Sequence, residues 1–233
     1  MDSHALSYHG YRFPPEIISH AVWLYYRFCL SFRDAEDLLA QRGITVSYEA
    51  IRQWCRRFGP TSTRILRRRQ GRLGDTWHLD ELFVHIQGRQ QYLWRAVDQD
   101  GDVIDILVQP RRDQLAAARF FRKLLKRQGS VPRRLITDKL RSYAAARQAV
   151  MPSVVHATDQ YANNRAEVSH QPTRQRERQM RRFKSAAQVQ RFASVHGLVQ
   201  NLFRVGRHLL RSAHHRLLRR EAFRVWDAVT CAC

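Results

Sequence analysis

Three acids carry the chemical signal in this sequence: Asp80, Asp138 and Glu167. Asp80 sits in Trp77-His78-Leu79-Asp80-Glu81-Leu82-Phe83-Val84-His85-Ile86, on the strand face it would share with Leu82, Val84 and Ile86. An ionised carboxylate among such neighbours is costly unless it is paired or bound to a metal. A partnering arginine, or a less buried place in the strand, would account for it as well. Asp138 follows Arg134-Leu135-Ile136-Thr137, where a short buried strand hands over to a helix. Open α/β sheets often put functional groups there, although capping the helix of residues 139–147 is the plainer role. Glu167 lies in Asn163-Asn164-Arg165-Ala166-Glu167, at the head of a field of Arg174, Arg176, Arg178, Arg181, Arg182 and Lys184. A lone acid there could simply neutralise charge. With two aspartates upstream, the three read together as a divalent-cation site beside a surface built for DNA.

The elements around these acids follow from periodicity. Residues 77–86 are β-rich and apolar on both faces, as in a central strand. Residues 92–97 and 103–108 continue an antiparallel meander, joined by a hairpin turn over residues 98–102 around Gly101. That turn, Asp98-Gln99-Asp100-Gly101-Asp102, resembles part of a calcium loop but lacks the rest of it. A helix is expected over residues 113–128, with Leu115, Ala118, Phe121, Leu124 and Leu125 as its apolar stripe. The short strand before Asp138 comes next, then another helix. The order β-β-β-α-β-α predicts an α/β fold with an RNase H-like core, a mixed sheet with flanking helices.

Ahead of the sheet the period is helical. Pro14 and Pro15 open a stretch carrying Ile17, Ile18, Ala21, Val22, Leu24, Tyr25 and Phe28. Ser31 is a good N-cap with Asp34 three residues on, and Gly43 ends that second helix. Ser47 caps a third helix, which turns Ala50, Ile51, Trp54 and Phe58 inward and Tyr48, Glu49, Arg52, Gln53 and Arg56 outward. A short capped helix, a glycine turn and a helix with Arg and Gln outside suit reading of the major groove. An ordinary three-helix bundle with a solvated face is the bland alternative. Arg64, Arg67, Arg68, Arg69 and Arg72, with Gly71 and Gly74, then read as a basic linker tracking a phosphate backbone. The expected division is a helix-turn-helix domain over residues 1–62, the linker over 63–76, the catalytic core over 77–185, and basic C-terminal helices over 186–233 packing on that core.

The charge balance agrees with a polyanionic partner. There are 41 Lys and Arg against 20 Asp and Glu, a formal net charge of +21. Residues 77–160 hold nine of the 20 acids; acids concentrated in a chain this basic need a reason, and cation binding is one. Cys29, Cys55, Cys231 and Cys233 form neither a disulfide framework nor paired CxxC motifs, which suits thiols in a reducing compartment. Neither a secretory leader nor a membrane-spanning apolar run is recognisable, so the expectation is a cytoplasmic protein with no membrane partner.

Taken in order, Trp77-His78-Leu79-Asp80-Glu81, Tyr92-Leu93-Trp94-Arg95-Ala96-Val97-Asp98, Thr137-Asp138-Lys139 and Asn163-Asn164-Arg165-Ala166-Glu167 resemble the insertion-sequence-6 family of bacterial DDE transposases. The stretch from Ser169-His170-Gln171-Pro172-Thr173-Arg174 to Arg182-Phe183-Lys184-Ser185 is similar to the same family. The resemblance implies catalytic, metal-holding carboxylates at Asp80, Asp138 and Glu167, with 57 and 28 residues in the two gaps. The short second gap leaves Glu177 as a rival third acid. It further implies two Mg²⁺ ions, with Mn²⁺ possible, cleavage of DNA, and strand transfer by the freed 3′-hydroxyl, by a replicative route. Arg174 matches a basic position seven residues after the glutamate. The implied partners are duplex DNA, as terminal inverted repeats and as target, and further copies of the chain in a homodimer or larger assembly. Expected DNA contacts are Tyr48, Arg52, Gln53, Arg56, Arg67, Arg68, Arg69, Arg174, Arg178 and Lys184. A helix-turn-helix regulator without catalysis, and an RNase H-like nuclease, remain as alternative readings. His78, His85 and His170 flank the motifs and read as packing or phosphate-contact residues rather than ligands.

Overall fold

The computed structural model describes residues 6–28, 30–71, 73–138, 140–158, 163–179, 183–205 and 210–231. The chain divides into two compact units, one of residues 1–70 with 194–233, the other of residues 71–193.

In the second unit, β1 (Thr76–Ile86), β2 (Arg89–Asp98) and β3 (Val103–Gln109) form the antiparallel meander, and β4 (Arg134–Ile136) and β5 (Val155–Ala157) complete the sheet. The order is β3-β2-β1-β4-β5, with β4 parallel to β1 and β5 parallel to β4. This three-plus-two arrangement is the RNase H-like mixed sheet that the sequence predicts. β5 was not anticipated: three residues with Val155 exposed offer no alternating run to detect. One face of the sheet packs on α4 (Gln114–Gln128) and α5 (Arg141–Val150). Trp77, Leu79, Trp94, Ala96 and Ile104 there meet Ala117, Phe120, Phe121, Leu124 and Tyr143. Leu115, expected in the α4 stripe, is 65 % exposed; small alanines at 116–118 take the face instead and let the helix lie close to the sheet. α6 (Asn164–Gln179) serves the other face, contacting β1 and β2. The free edge of β3 is closed by a side chain: Gln190, on α7 (Ala186–Phe203), accepts from Val108 N–H and donates to Ile106 C=O, mimicking a neighbouring strand.

The other unit holds α1 (Pro15–Arg27), α2 (Phe32–Ala40), α3 (Tyr48–Arg69), the C-terminal part of α7 and α8 (Ser212–Thr230). Ser31 and Asp34 form the reciprocal capping box on α2, and Ser47 caps α3. Two expectations change here. Residues 63–69, read as linker, continue α3 through Gly59-Pro60, because Ile51, Trp54, Cys55, Phe58, Ser62 and Leu66 keep one buried stripe. Around the proline, the Ser62 and Thr63 hydroxyls add side-chain bonds to the Phe58 and Gly59 carbonyls one turn back. Second, the C-terminal helices do not all pack on the sheet: α8 lies against α1 and α3. An aromatic cluster of Trp23, Phe203, Phe223 and Trp226 draws it there.

Gly59 touches α1 closely. A Cβ at this position would lie 2.8 Å from Tyr26 Cε2, and Tyr26 is itself buried with its hydroxyl on Cys55 C=O at 3.1 Å. Gly59→Ala should therefore destabilise this unit by about 1–3 kcal/mol, the usual cost of overpacking, read as a lower urea midpoint at unchanged slope.

Candidate active site

Asp80 and Asp138 are brought to one end of the central strands by register. β1 and β4 pair in parallel with His78 opposite Ile136, so two residues further on Asp138 comes level with Asp80. Adjacent strands lie about 4.8 Å apart. Glu81 joins them: carboxylate oxygens of Asp80, Glu81 and Asp138 all lie within 4.8 Å of one another. Three acids this close repel unless positive charge is supplied. Arg112 supplies some of it, with Nε on Glu81 and Nη2 3.1 Å from Asp138 Oδ2. Asp138 also accepts from the Leu140 N–H at 3.1 Å, so it helps to start α5 as well.

Glu81 was not singled out from the sequence. Strand alternation turns it away from the Asp80 face, towards Tyr143 and Arg112, both remote in sequence. Burial pushes its carboxyl above the usual carboxylate range, opposed by the Tyr143 hydroxyl and the Arg112 charge. Tyr143→Phe keeps the ring but removes that donor from a buried acid. It should cost about 1–3 kcal/mol of stability, measurable by urea denaturation.

On the opposite face, α6 is tied to the sheet at three places. Asn163 Nδ2 donates to Leu79 C=O at 2.8 Å. Arg95, opposite Asp80 in the β1–β2 register, reaches the Ser169 carbonyl and, at 2.7 Å, the Thr173 hydroxyl. Full burial holds the Arg95 guanidinium down at about 10. His170 Nε2 lies 3.4 Å from Asp80 Oδ2. Burial lowers the His170 pKa, with Asp80 opposing this. Position 167 is on α6 one turn before His170; the Glu167 side chain lies outside the described residues. Glu177 is half-buried on the same helix, seven residues beyond His170, about 10 Å along the axis.

The expected DNA contacts fall on exposed faces of two helices. On α3, Tyr48, Gln53, Arg56, Arg68 and Arg69 are exposed, and Arg52 and Arg67 half-buried. On α6, Arg174 and Arg178 are exposed beside the buried His170, Thr173 and Arg176, and Lys184 is exposed beyond its end. Arg176, read as part of the arginine field, is fully buried with its guanidinium over the Phe192 ring. Arg181 and Arg182, like Cys29 and Cys233, lie outside the described residues; Cys55 and Cys231 are in no disulfide among those described. His85 is exposed and His78 buried. Among the described residues no helix is long and apolar enough to cross a membrane.

Residues 74–206 match a family model described as a DDE domain. The transposase for the insertion sequence-like element IS431mec of Staphylococcus aureus is 31% identical over 171 residues, 71% of this chain and 76% of that protein. This chain belongs to the insertion-sequence-6 family of DDE transposases. The Staphylococcus aureus transposase of insertion sequence element IS257 in transposon Tn4003 is similar to the same extent. Among solved structures, the trimeric form of the HTLV-2 integrase catalytic core in complex with magnesium is 11% identical, with a TM-score of 0.41 over 62% of this chain and 94% of that one. The strand order alone carries the fold.

The acids of this transposase fit a divalent cation. They offer hard oxygen donors within 4.8 Å of one another, at a half-open site whose Asp80 and Asp138 are reachable from solvent.

Proposed function

We propose that this transposase cleaves DNA at the ends of its element and joins the freed 3′-hydroxyl to target DNA, with Asp80, Asp138 and Glu167 as its catalytic carboxylates. The approach of Asp80 and Asp138 oxygens to within 4.8 Å, inside the matched DDE domain, carries this reading for the two aspartates, and Glu167 rests on the resemblance of its motif. Asp80, Asp138 and Glu167 would hold two Mg²⁺ ions, or Mn²⁺ in their place, because carboxylate oxygens suit hard cations that keep exchangeable waters. Bound there, the ions supply an activated attacking oxygen and a stabilised leaving oxygen in an in-line displacement.

The residues of the chain set the stage for that exchange. Asp80 lies on β1 and Asp138 two residues beyond the parallel β4, so the pairing of those strands sets how closely the two approach. Arg112 offsets part of the acids' mutual repulsion and keeps Glu81 directed at the cluster. Asn163, Arg95 and His170 pin the N-terminal half of α6 beside Asp80. This favours Glu167 over Glu177, which lies two turns further along that helix than His170. Arg174, Arg178 and Lys184 would meet the DNA backbone near the acids, while Tyr48, Arg52, Gln53 and Arg56 would read a major groove and Arg67, Arg68 and Arg69 would follow phosphates. Juxtaposing two ends calls for a homodimer or larger assembly, and the family resemblance points to a replicative outcome in the bacterial cytoplasm.

The deciding experiment is strand transfer with purified protein, Mg²⁺ or Mn²⁺, labelled duplex from just outside the gene and a plasmid target. Joined product that vanishes on adding EDTA supports the reading. Cleavage without joining would instead indicate a nuclease, and binding with neither would indicate a DNA-binding protein without catalysis.

A further inference from the structure

At the start of α3 the two side chains best suited to reading bases are not independent. Arg52 donates from Nε to Glu49 Oε2 at 2.7 Å and from Nη2 to Glu49 Oε1 at 2.6 Å. Gln53 Nε2 reaches the same Oε1 at 3.2 Å. Glu49, Arg52 and Gln53 occupy one turn of the exposed face, just after the α2–α3 turn, and Arg52 and Glu49 side chains are 38% and 41% exposed. On an ordinary surface helix an i,i+3 ion pair contributes little to stability. The geometry here does something more specific. The planar guanidinium has five N–H donors in a fixed fork, and a carboxylate on its Nε–Nη2 edge stops rotation about the last side-chain bonds. The opposite Nη1–Nη2 edge, to which no bond is made among the described residues, is left with two parallel donors facing outward.

Two parallel donors match O6 and N7 of guanine in the major groove, a pairing no other base offers. We propose that Glu49 is a specificity-determining residue: by fixing the Arg52 fork it makes α3 read a guanine at one position of the bound DNA. This rests on the reading of α2 and α3 as a major-groove module. Glu49 adds no attraction for DNA, since its charge opposes the phosphates, so its effect is on which sequence binds rather than on how tightly DNA in general binds. Gln53, with one amide hydrogen on Glu49, keeps its carbonyl and second N–H for the neighbouring base pair.

The test is selection from a pool of randomised duplex DNA by the full chain. It compares wild type with Glu49→Gln, Glu49→Asp, Arg52→Ala and Gln53→Ala, each checked for helical content and for affinity to unselected duplex. Wild type should enrich one motif containing a guanine preferred roughly 5- to 100-fold, the discrimination of one bidentate contact. Arg52→Ala should lose the preference at that position. Glu49→Gln should bring it close to parity there while affinity for unselected duplex holds or rises. Glu49→Asp keeps the charge but is one methylene short of the fork, and should lose the preference likewise. If Arg52→Ala alters the motif but both Glu49 variants retain it, the role of Glu49 is overturned and the groove-reading helix stands. A wild type that enriches nothing, or a motif indifferent to all four substitutions, overturns the groove-reading helix and this proposal with it.

Discussion

Alanine at Asp80 or Asp138 should reduce joined product at least about 10³-fold while duplex binding stays within a few-fold of wild type. Cation-assisted stabilisation of the charge that develops in phosphoryl transfer contributes several kcal/mol, and each 1.36 kcal/mol is tenfold in rate. Losing one of the carboxylates that would hold the cation removes most of that. Binding is expected to persist because deleting an acid reduces repulsion of the phosphates. Joined and nicked products would be quantified on a denaturing gel beside filter binding of the same preparations. The same assay separates the two candidates for the third acid: Glu167→Ala should behave like Asp80→Ala, and Glu177→Ala should retain product. The reverse result would move the third position ten residues along α6. Product persisting in Asp80→Ala at wild-type rate would rule out the carboxylate cluster as the catalytic centre.

Trp94→Ala should cost the sheet unit about 3–5 kcal/mol, the usual loss for a large buried ring. That is a substantial part of the 5–15 kcal/mol that holds a typical domain together. Trp94 is fully buried, edge-on to Tyr143 at 5.5 Å and tilted against Phe120 at 6.2 Å. The loss should reach the site as well, because Tyr143 is the residue whose hydroxyl meets Glu81. Urea denaturation followed by near-ultraviolet circular dichroism would show the midpoint falling while Leu115→Ala, at a 65 % exposed position of α4, stays within about 0.5 kcal/mol of wild type. A Trp94→Ala chain as stable as wild type would mean the core does not close as described.

What the sequence revealed and what it hid divide along the reach of the interactions. The meander, α4, and the places of Asp80 and Asp138 were legible because strand and helix periods are local. The hairpin at residues 98–102 was legible for the same reason: Asp98 accepts from the Asp100 and Asp102 N–H groups within the turn itself. Glu81 was hidden because its partners, Arg112 and Tyr143, are 31 and 62 positions away. The buried arginines were hidden for a related reason. Sequence treats arginine as solvated charge, whereas Arg95 and Arg176 are drawn inside by a carbonyl, a hydroxyl and an aromatic face on α6 and α7. The extension of α3 was missed because Gly-Pro is a strong local break signal. It loses to a stripe of buried side chains that continues on both sides of the proline.

The Gln190 amide at the rim of the sheet bears on how this protein behaves when concentrated. An open strand edge is a rail onto which another molecule's strand can zip, and from there sheets grow into insoluble aggregates. β3 ends one side of this sheet, and Gln190 occupies the Val108 donor and, together with Lys123, the Ile106 acceptor that an intruding strand would need. With those two groups engaged, this stretch of the edge is a poor template for strand-to-strand association.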